Sequence, residues 1–403
     1  MPSQEQLVSI AQDLLSHRFG GSQRLEDVET LAGSGESTVL RARVASQPFL
    51  QHRTVVLKYV PMTGEVLYDA ALMREVVAYQ FTTALPEGVR PGPMILAHDI
   101  DQRLVVMTDS GDGDTFDDLL ETAKHDTRGK ILRNLGSSLG RMHAGTAERE
   151  KEFDILMNRM LKHHPQFGEN QGVRDEALQQ SILLGEQILE KSGFTIPSAF
   201  HDAAQVARRR VVGGSARAFT PFDLSPDNII VADKTHFLDY EWAGFRDVSF
   251  DIACVIAGFP QFVFTHPITD EEADTFISAW KREIKEVFPN LTESRTLHAR
   301  VLAALVGWGL STLATMSAGN LSGVVGMLEK GEDISDDLDQ AAALLRVGSA
   351  DSFSEDELLA RRDIFETFEA MARYGSQGTE ESSPEIAEFA RNIAQRVEKP
   401  GWK

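Results

Sequence analysis

Hydrophobic and polar positions follow one rhythm up to about residue 110 and another beyond it. In the first stretch, apolar residues alternate or form short β-branched runs at 28–32, 38–44, 54–60, 93–99 and 103–108, which predicts strands. Two helices are expected among them: an amphipathic one at the N-terminus, and one over 65–84. After Gly111-Asp112-Gly113 the apolar spacing lengthens to three and four, predicting helices over 114–120, 128–144, 175–191 and 199–211. One segment breaks the helical pattern. Residues 228–232 and 234–239 read as a short hairpin inside a helical region. Helices resume past Asp251, one of them opened by a capping box, Thr269 with Glu272, ahead of a packing face that includes Phe276 and Trp280. Residues 375–384 predict a loop before a last helix, and no internal repeat is visible.

Residues 301–328 carry no charge, and a membrane span needs only about 20 apolar residues. Gly307, Gly309, Gly319, Gly323 and Gly326, with interspersed Ser, Thr and Asn320, dilute the run, so a buried helix followed by a shorter one is expected instead. At 403 residues with 42% apolar content, the chain can build a large core. Its net charge of −21 opposes binding to nucleic acid or an anionic membrane and favours a cationic small substrate. Much of the acidity lies after residue 328, where the plain reading is a solvated helix face and the sharper one a pocket for an amine. A single cysteine, Cys254, and an N-terminus without a basic signal-peptide region point to the cytoplasm.

Four sequence features could carry chemistry, and each also has a bland reading. Asp223, Asn228 and Asp239 lie in one segment; a tight loop there could aim Asp223 at a hydroxyl while Asn228 and Asp239, flanking the hairpin, offer oxygens to Mg2+. Asp-Leu-Ser-Pro-Asp-Asn is equally a plain turn. Upstream, Gly33, Ser34, Gly35 and Ser37 stand between two strand-like runs, where amide and hydroxyl groups can cradle phosphates, or where any hairpin could turn. Lys58 interrupts an apolar run, and a cation inside a sheet needs a partner or a ligand. Glu75, seventeen residues on and in the helical run, could be that partner, or merely solvated.

In this order and approximate separation the features resemble the small-molecule kinases of protein-kinase-like fold, typified by aminoglycoside phosphotransferases and choline kinases. The likeness spans most of 31–253 and is most specific in Asp223-Leu224-Ser225-Pro226-Asp227-Asn228 and in Phe237-Leu238-Asp239-Tyr240-Glu241-Trp242 through Phe250-Asp251-Ile252-Ala253. Leu139-Gly140-Arg141-Met142-His143-Ala144 is similar to the helix preceding the catalytic loop, and 104–110 to the hinge strand. The resemblance implies Asp223 as the residue accepting or orienting the acceptor's proton, Asn228 and Asp239 as Mg2+ ligands, and Lys58 with Glu75 as the phosphate-binding ion pair. It also implies backbone groups near Thr108 and Ser110 as adenine contacts, and Asp251 as a brace for the catalytic loop. Glu241, just after a metal ligand, is as consistent with a surface turn.

The expected fold is therefore α+β and bilobal, with a mostly β N-terminal lobe preceded by a helix (1–110), a helical C-terminal lobe (111–403), and ATP between them. The expected function is ATP- and Mg2+-dependent phosphorylation of a hydroxyl on a small cationic molecule, an aminoglycoside or an amino alcohol. One departure stands out: Pro221-Phe222 replaces the family's His-Gly before the catalytic aspartate, and a conformation reserved for glycine is not expected at Phe222. That leaves a catalytically silent, nucleotide-binding homologue as the alternative. A protein kinase is less favoured, since neither Asp-Phe-Gly at the second metal position nor Ala-Pro-Glu occurs. The insert over 145–215 carries no interpretable motif.

Overall fold

The computed structural model describes residues 1–31, 37–262, 267–319, 321–329, 335–399 and 402. In chain order, the first elements are α1 (Gln4–Phe19), β1 (Leu25–Leu31), β2 (Thr38–Val44), β3 (Thr54–Tyr59), α2 (Val66–Asp69), α3 (Ala71–Thr83), β4 (Ile95–Asp99), β5 (Leu104–Thr108) and β6 (Asp114–Thr115). Next come α4 (Phe116–Thr122), α5 (His125–Thr146), α6 (Glu150–His163), α7 (Gly168–Lys191), α8 (Ser198–Val212), β7 (Arg217–Thr220), β8 (Ile229–Val231), β9 (Thr235–Phe237) and β10 (Gly244–Asp247). The chain ends with α9 (Ser249–Ile256), α10 (Asp270–Ile284), α11 (Ser294–Ala318), α12 (Leu321–Glu329), α13 (Ser335–Ala342), α14 (Glu355–Ser376) and α15 (Ser383–Val397). By packing, these elements form two compact units, neither continuous in sequence.

The first unit comprises Met1–Phe116, Lys151–Gln171 and Asp227–Ala243. Its centre is an antiparallel sheet in the order β1-β2-β3-β5-β4. Alternation decides which side chains face which way. Leu40, Ala42, Val55, Leu57, Leu104 and Val106 turn to one face, where Leu7, Ala11 and Leu15 of α1 cover them. The start of α1 is fixed by a capping box in which Gln6 N–H donates to Ser3 Oγ and Ser3 N–H to Gln6 Oε1. Val56 and Lys58 consequently face the opposite side. The helix expected over 65–84 is broken at Ala70, leaving α2 and a long α3 whose residues are almost all buried. Arg74 of α3 is tied to the insert and the hairpin by its bonds to Gln171 Oε1 (2.9 Å) and the Ala243 carbonyl (3.2 Å). The region expected as a helix from Asp114 opens instead as β6, which pairs with β8 and so adds a third strand to the hairpin.

The second unit comprises Asp117–Glu150, Gly172–Pro226 and Gly244–Lys403. Its helix α11 is long and apolar enough to cross a membrane by length and composition. Within the unit it packs against α8, α9 and α14, and Leu305, Val306, Leu310 and Leu313 are fully buried. The expected division of the uncharged stretch into a longer and a shorter helix is borne out by α11 and α12. The capping box at Thr269 is also present, with Glu272 N–H donating to Thr269 Oγ1 (3.2 Å). Glu272 is additionally paired with buried Arg128 at 2.7 Å, fastening α10 to α5. Two short strands escaped the sequence reading, β7 and β10, which pair antiparallel through Phe219 and Phe245.

Helices α5 and α10 approach closely because α5 offers glycines at its contact face. A Cβ on Gly136 would lie 2.4 Å from the Phe276 carbonyl, and one on Gly140 would lie 2.8 Å from Glu283 Cβ. Gly136→Ala is therefore expected to lower stability by about 1–3 kcal/mol. Gly129→Ala, on the same helix where a Cβ meets nothing within 4 Å, is expected to raise it by about 0.5–1 kcal/mol. Urea midpoints of the two variants against the parent chain check both signs.

Candidate active site

In the first unit the charged groups gather around one lysine. Lys58 is only 13% exposed, and its Nζ sits 2.7 Å from Glu75 Oε1 and 3.1 Å from Asp239 Oδ1. Burial by itself would depress the ammonium, but Glu75 and then Asp239 outweigh it and hold Lys58 charged well above its ordinary range. Burial pushes the Glu75 carboxyl up; Lys58 pulls it back, and Asp239 adds to the rise. One cation thus serves two carboxylates, and it joins three elements: β3, α3 and the segment after β9.

Asp239 is shaped for more than this ion pair. Its φ is +56°, a left-handed conformation that aspartate tolerates better than most residues. Its N–H donates to the Tyr79 hydroxyl oxygen at 3.3 Å, and the Tyr79 and Tyr240 rings lie 4.7 Å apart. Gly92 lets the hairpin end dock, because a Cβ there would stand 2.3 Å from the Phe237 carbonyl and 2.7 Å from the Tyr240 hydroxyl. Asp239 Oδ1 is buried and has no hydrogen bond, its approach to Lys58 being an ion pair only. Asn228 lies beside it in the backbone, since Leu238 N–H donates to the Asn228 carbonyl at 2.8 Å. Among the described residues no group of three or more His, Cys, Asp or Glu could hold a metal. A one-third exposed carboxylate on a segment tied to that of Asn228 fits a hard cation of the Mg2+ type, which prefers oxygen ligands and keeps most of them as water and phosphate oxygens.

Other residues expected at a nucleotide site are less uniformly placed. Gly33, Ser34 and Gly35 lie outside the described residues, and Ser37 is half-buried just before β2. The Thr108 N–H donates to the Met94 carbonyl and its hydroxyl oxygen accepts from the Met94 N–H, both at 2.9 Å, so these two groups are spent within the fold. Ser110 Oγ contacts His236 Nδ1 at 2.9 Å. Arg41 of β2, not singled out from sequence, bonds Asp109 (2.9 Å) and Asp112 (2.6 Å) directly after β5.

Asp223 belongs to the second unit, on the loop following β7. Its Oδ1 accepts Ser225 N–H at 3.0 Å, an Asx turn that orients the carboxylate. The sequence expectation for the preceding residue is corrected: Phe222 does adopt the left-handed conformation, with φ +66°. For a bulky side chain this costs on the order of 1–3 kcal/mol and persists only where the surroundings hold it. They do. The Phe222 ring is stacked on Trp308 at 5.0 Å and 26°, lies 6.0 Å from Phe250, and carries the Arg246 guanidinium 4.6 Å above its face.

Behind the loop runs a fully buried relay. Trp280 Nε1–H donates to His143 Nδ1 at 3.0 Å, and His143 Nε2 lies 3.1 Å from Asp251 Oδ2. Indole nitrogen only donates, so Nδ1 of His143 is the acceptor and Nε2 carries the proton toward Asp251. Burial raises the Asp251 carboxyl, and His143, Arg246 and a hydrogen bond from the Phe222 N–H offset only part of the rise. Trp280 reads from sequence as core packing alone, yet it sets the tautomer of this histidine.

One helical turn further along α9 a cavity of about 660 Å³ opens, lined by Ile256, Ile268, Phe365 and Trp402 together with acidic residues of α10 and α14. Asp270, Glu271, Glu366 and Glu369 line it against one guanidinium, Arg373, which bonds Asp270 and Glu369. Nearby on α14, Asp363 is 3% exposed; its Oδ1 accepts Gln261 N–H at 2.9 Å and its Oδ2 has no hydrogen bond. Burial pushes this carboxyl up to about 7.

The model of the phosphotransferase enzyme family matches residues 50–293, more than half of the chain. The chain belongs to the phosphotransferase enzyme family. The match contains Lys58, Glu75, Asp223, Asn228, Asp239 and Asp251, and the structure is of the α+β class expected from sequence. Solved structures it is similar to include a choline/ethanolamine kinase family protein from Mesorhizobium loti, at 14% identity and TM-score 0.47 over 96% of this chain and 99% of that one. Choline kinase from Cryptosporidium parvum aligns at 13% identity and TM-score 0.46 over 83% of this chain and 97% of its own. The gentamicin complex of APH(2")-IIa aligns at 13% and 0.45, over 84% and 99%. A search of curated protein sequences found no match. With TM-scores this low, membership of the phosphotransferase family rests on the sequence match.

Removing the shared cation should expose the like charges it separates. Lys58→Met is expected to destabilise the protein by about 3–5 kcal/mol, as unpaired buried carboxylates do. Adding Glu75→Gln should recover part of that loss, since one of the two uncompensated charges disappears; denaturation midpoints of both variants check this.

Proposed function

We propose that this phosphotransferase moves the γ-phosphoryl group of ATP, with Mg2+, to a hydroxyl on a small cationic acceptor. The observation that carries the reading is the arrangement of Lys58, Glu75 and Asp239: a charged lysine fixed by a helix carboxylate, beside a second carboxylate that is one-third exposed. In this reading Lys58 grips the α- and β-phosphates, and Glu75 keeps its ammonium from swinging away. Asn228 and Asp239 would hold Mg2+, which when bound there neutralises charge on the phosphates. Asp223 accepts the acceptor hydroxyl's proton, its free rotation removed by the Ser225 N–H. No strongly shifted pKa is required of it, because phosphoryl transfer depends mostly on positioning and electrostatic stabilisation.

The cavity beside α9 supports a cationic acceptor. Carboxylates outnumber guanidinium groups on its lining, and the Phe365 and Trp402 rings, 5.8 Å apart, suit an alkylammonium face. We assign the acceptor to the small-molecule class, not to nucleic acid or a membrane, and the compartment to the cytoplasm.

Thermal shift with Mg·ATP, followed by transfer assays on choline, ethanolamine, gentamicin and streptomycin, tests the reading. Phosphorylation of a hydroxylated amine is expected. Asp223→Ala should abolish transfer while leaving ATP affinity within about tenfold. Stabilisation by Mg·ATP without turnover on any acceptor, or undiminished transfer by Asp223→Ala, would contradict it.

A further inference from the structure

The catalytic loop takes the backbone course open to glycine while carrying phenylalanine, and the side chain itself is what is gripped. Phe222 at φ +66° is 7% exposed, held between the Trp308 ring and the Arg246 guanidinium, with Phe250 alongside. Each jaw is itself anchored. Trp308 Nε1–H donates to the Phe250 carbonyl at 2.8 Å, and Arg246 lies 3.3 Å from Asp175 Oδ1. Asp223 follows Phe222 directly, so any change of φ at 222 redirects the carboxylate.

We propose that Trp308 and Arg246 are positioning residues for Asp223: they clamp the Phe222 ring and so force the left-handed turn that aims the carboxylate. This extends the reading of Asp223 as the proton acceptor and rests on it for its catalytic consequence. The clamp itself is a statement about backbone conformation and stands apart from that reading. A structural role for Trp308 in core packing alone makes the opposite prediction for a double variant. Deleting two large aromatic side chains from one cluster would deepen a packing defect. If instead the indole serves to impose a backbone angle, glycine at 222 makes the imposition unnecessary, because glycine reaches positive φ without a Cβ clash.

The test uses Mg2+-dependent ATP hydrolysis, with water as acceptor, and hydrogen exchange of the peptide 219–226 in the full chain. Trp308→Ala is expected to lower kcat about tenfold with KM for ATP within about twofold, and Trp308→Ala/Phe222→Gly to recover most of that loss. Exchange of 219–226 should quicken in Trp308→Ala while that of α5 and α10 stays as in the parent. Arg246→Met should move both readouts in the same direction as Trp308→Ala. Unchanged exchange of the loop in Trp308→Ala, or a double variant slower than the single one, overturns the clamp. Absence of any ATP turnover in the parent chain would instead overturn the catalytic reading and leave the exchange result to decide the clamp.

Discussion

A single buried ammonium between two carboxylates sets the terms for the first unit. Lys58 cannot stay in the sheet unpaired, Glu75 cannot stay in a wholly buried helix unpaired, and Asp239 brings a second negative charge to the same place. The arrangement is balanced for one carboxylate and in excess for two. Such an excess is poorly suited to stability alone, since burying charges rarely improves on apolar packing. It suits a site where phosphates and a divalent cation complete the charge balance.

The second unit solves a different problem, that of fixing a loop. The backbone around Asp223 is held by an Asx turn from within, by the Phe222 ring from one side, and by the buried Trp280, His143 and Asp251 relay behind. A hydrogen-bond chain in which every member is buried tolerates few alternative geometries, because an unmade bond there leaves a polar group without water. Loop position thereby becomes a property of the helices α5, α9, α10 and α11, not of the loop's own short sequence.

Much of this was legible in the chain before any coordinates. The strands of the main sheet announce themselves by alternation because one face meets α1 and the other carries Lys58. The pairing of Lys58 with Glu75 follows from the cost of a lone buried cation. Other features had no local signal. Strands β7 and β10 are four residues each and almost wholly buried, too short to show a period, and β6 has two residues whose apolar neighbours belong to a helix. The conformation of Phe222 runs against local steric preference and depends on the Trp308 and Arg246 jaws, 86 and 24 residues away. Trp280 and His143 are 137 residues apart, and only their packing reveals that one sets the other's proton.

In the proposed function Asn228 and Asp239 would hold a divalent cation together with a triphosphate next to Lys58. Electron paramagnetic resonance of Mn2+ titrated with a non-hydrolysable ATP analogue reads this directly. A ternary complex is expected in the parent chain, weakened about tenfold or more by either Asp239→Asn or Asn228→Ala. Equal Mn2+ binding in all three proteins would contradict the account.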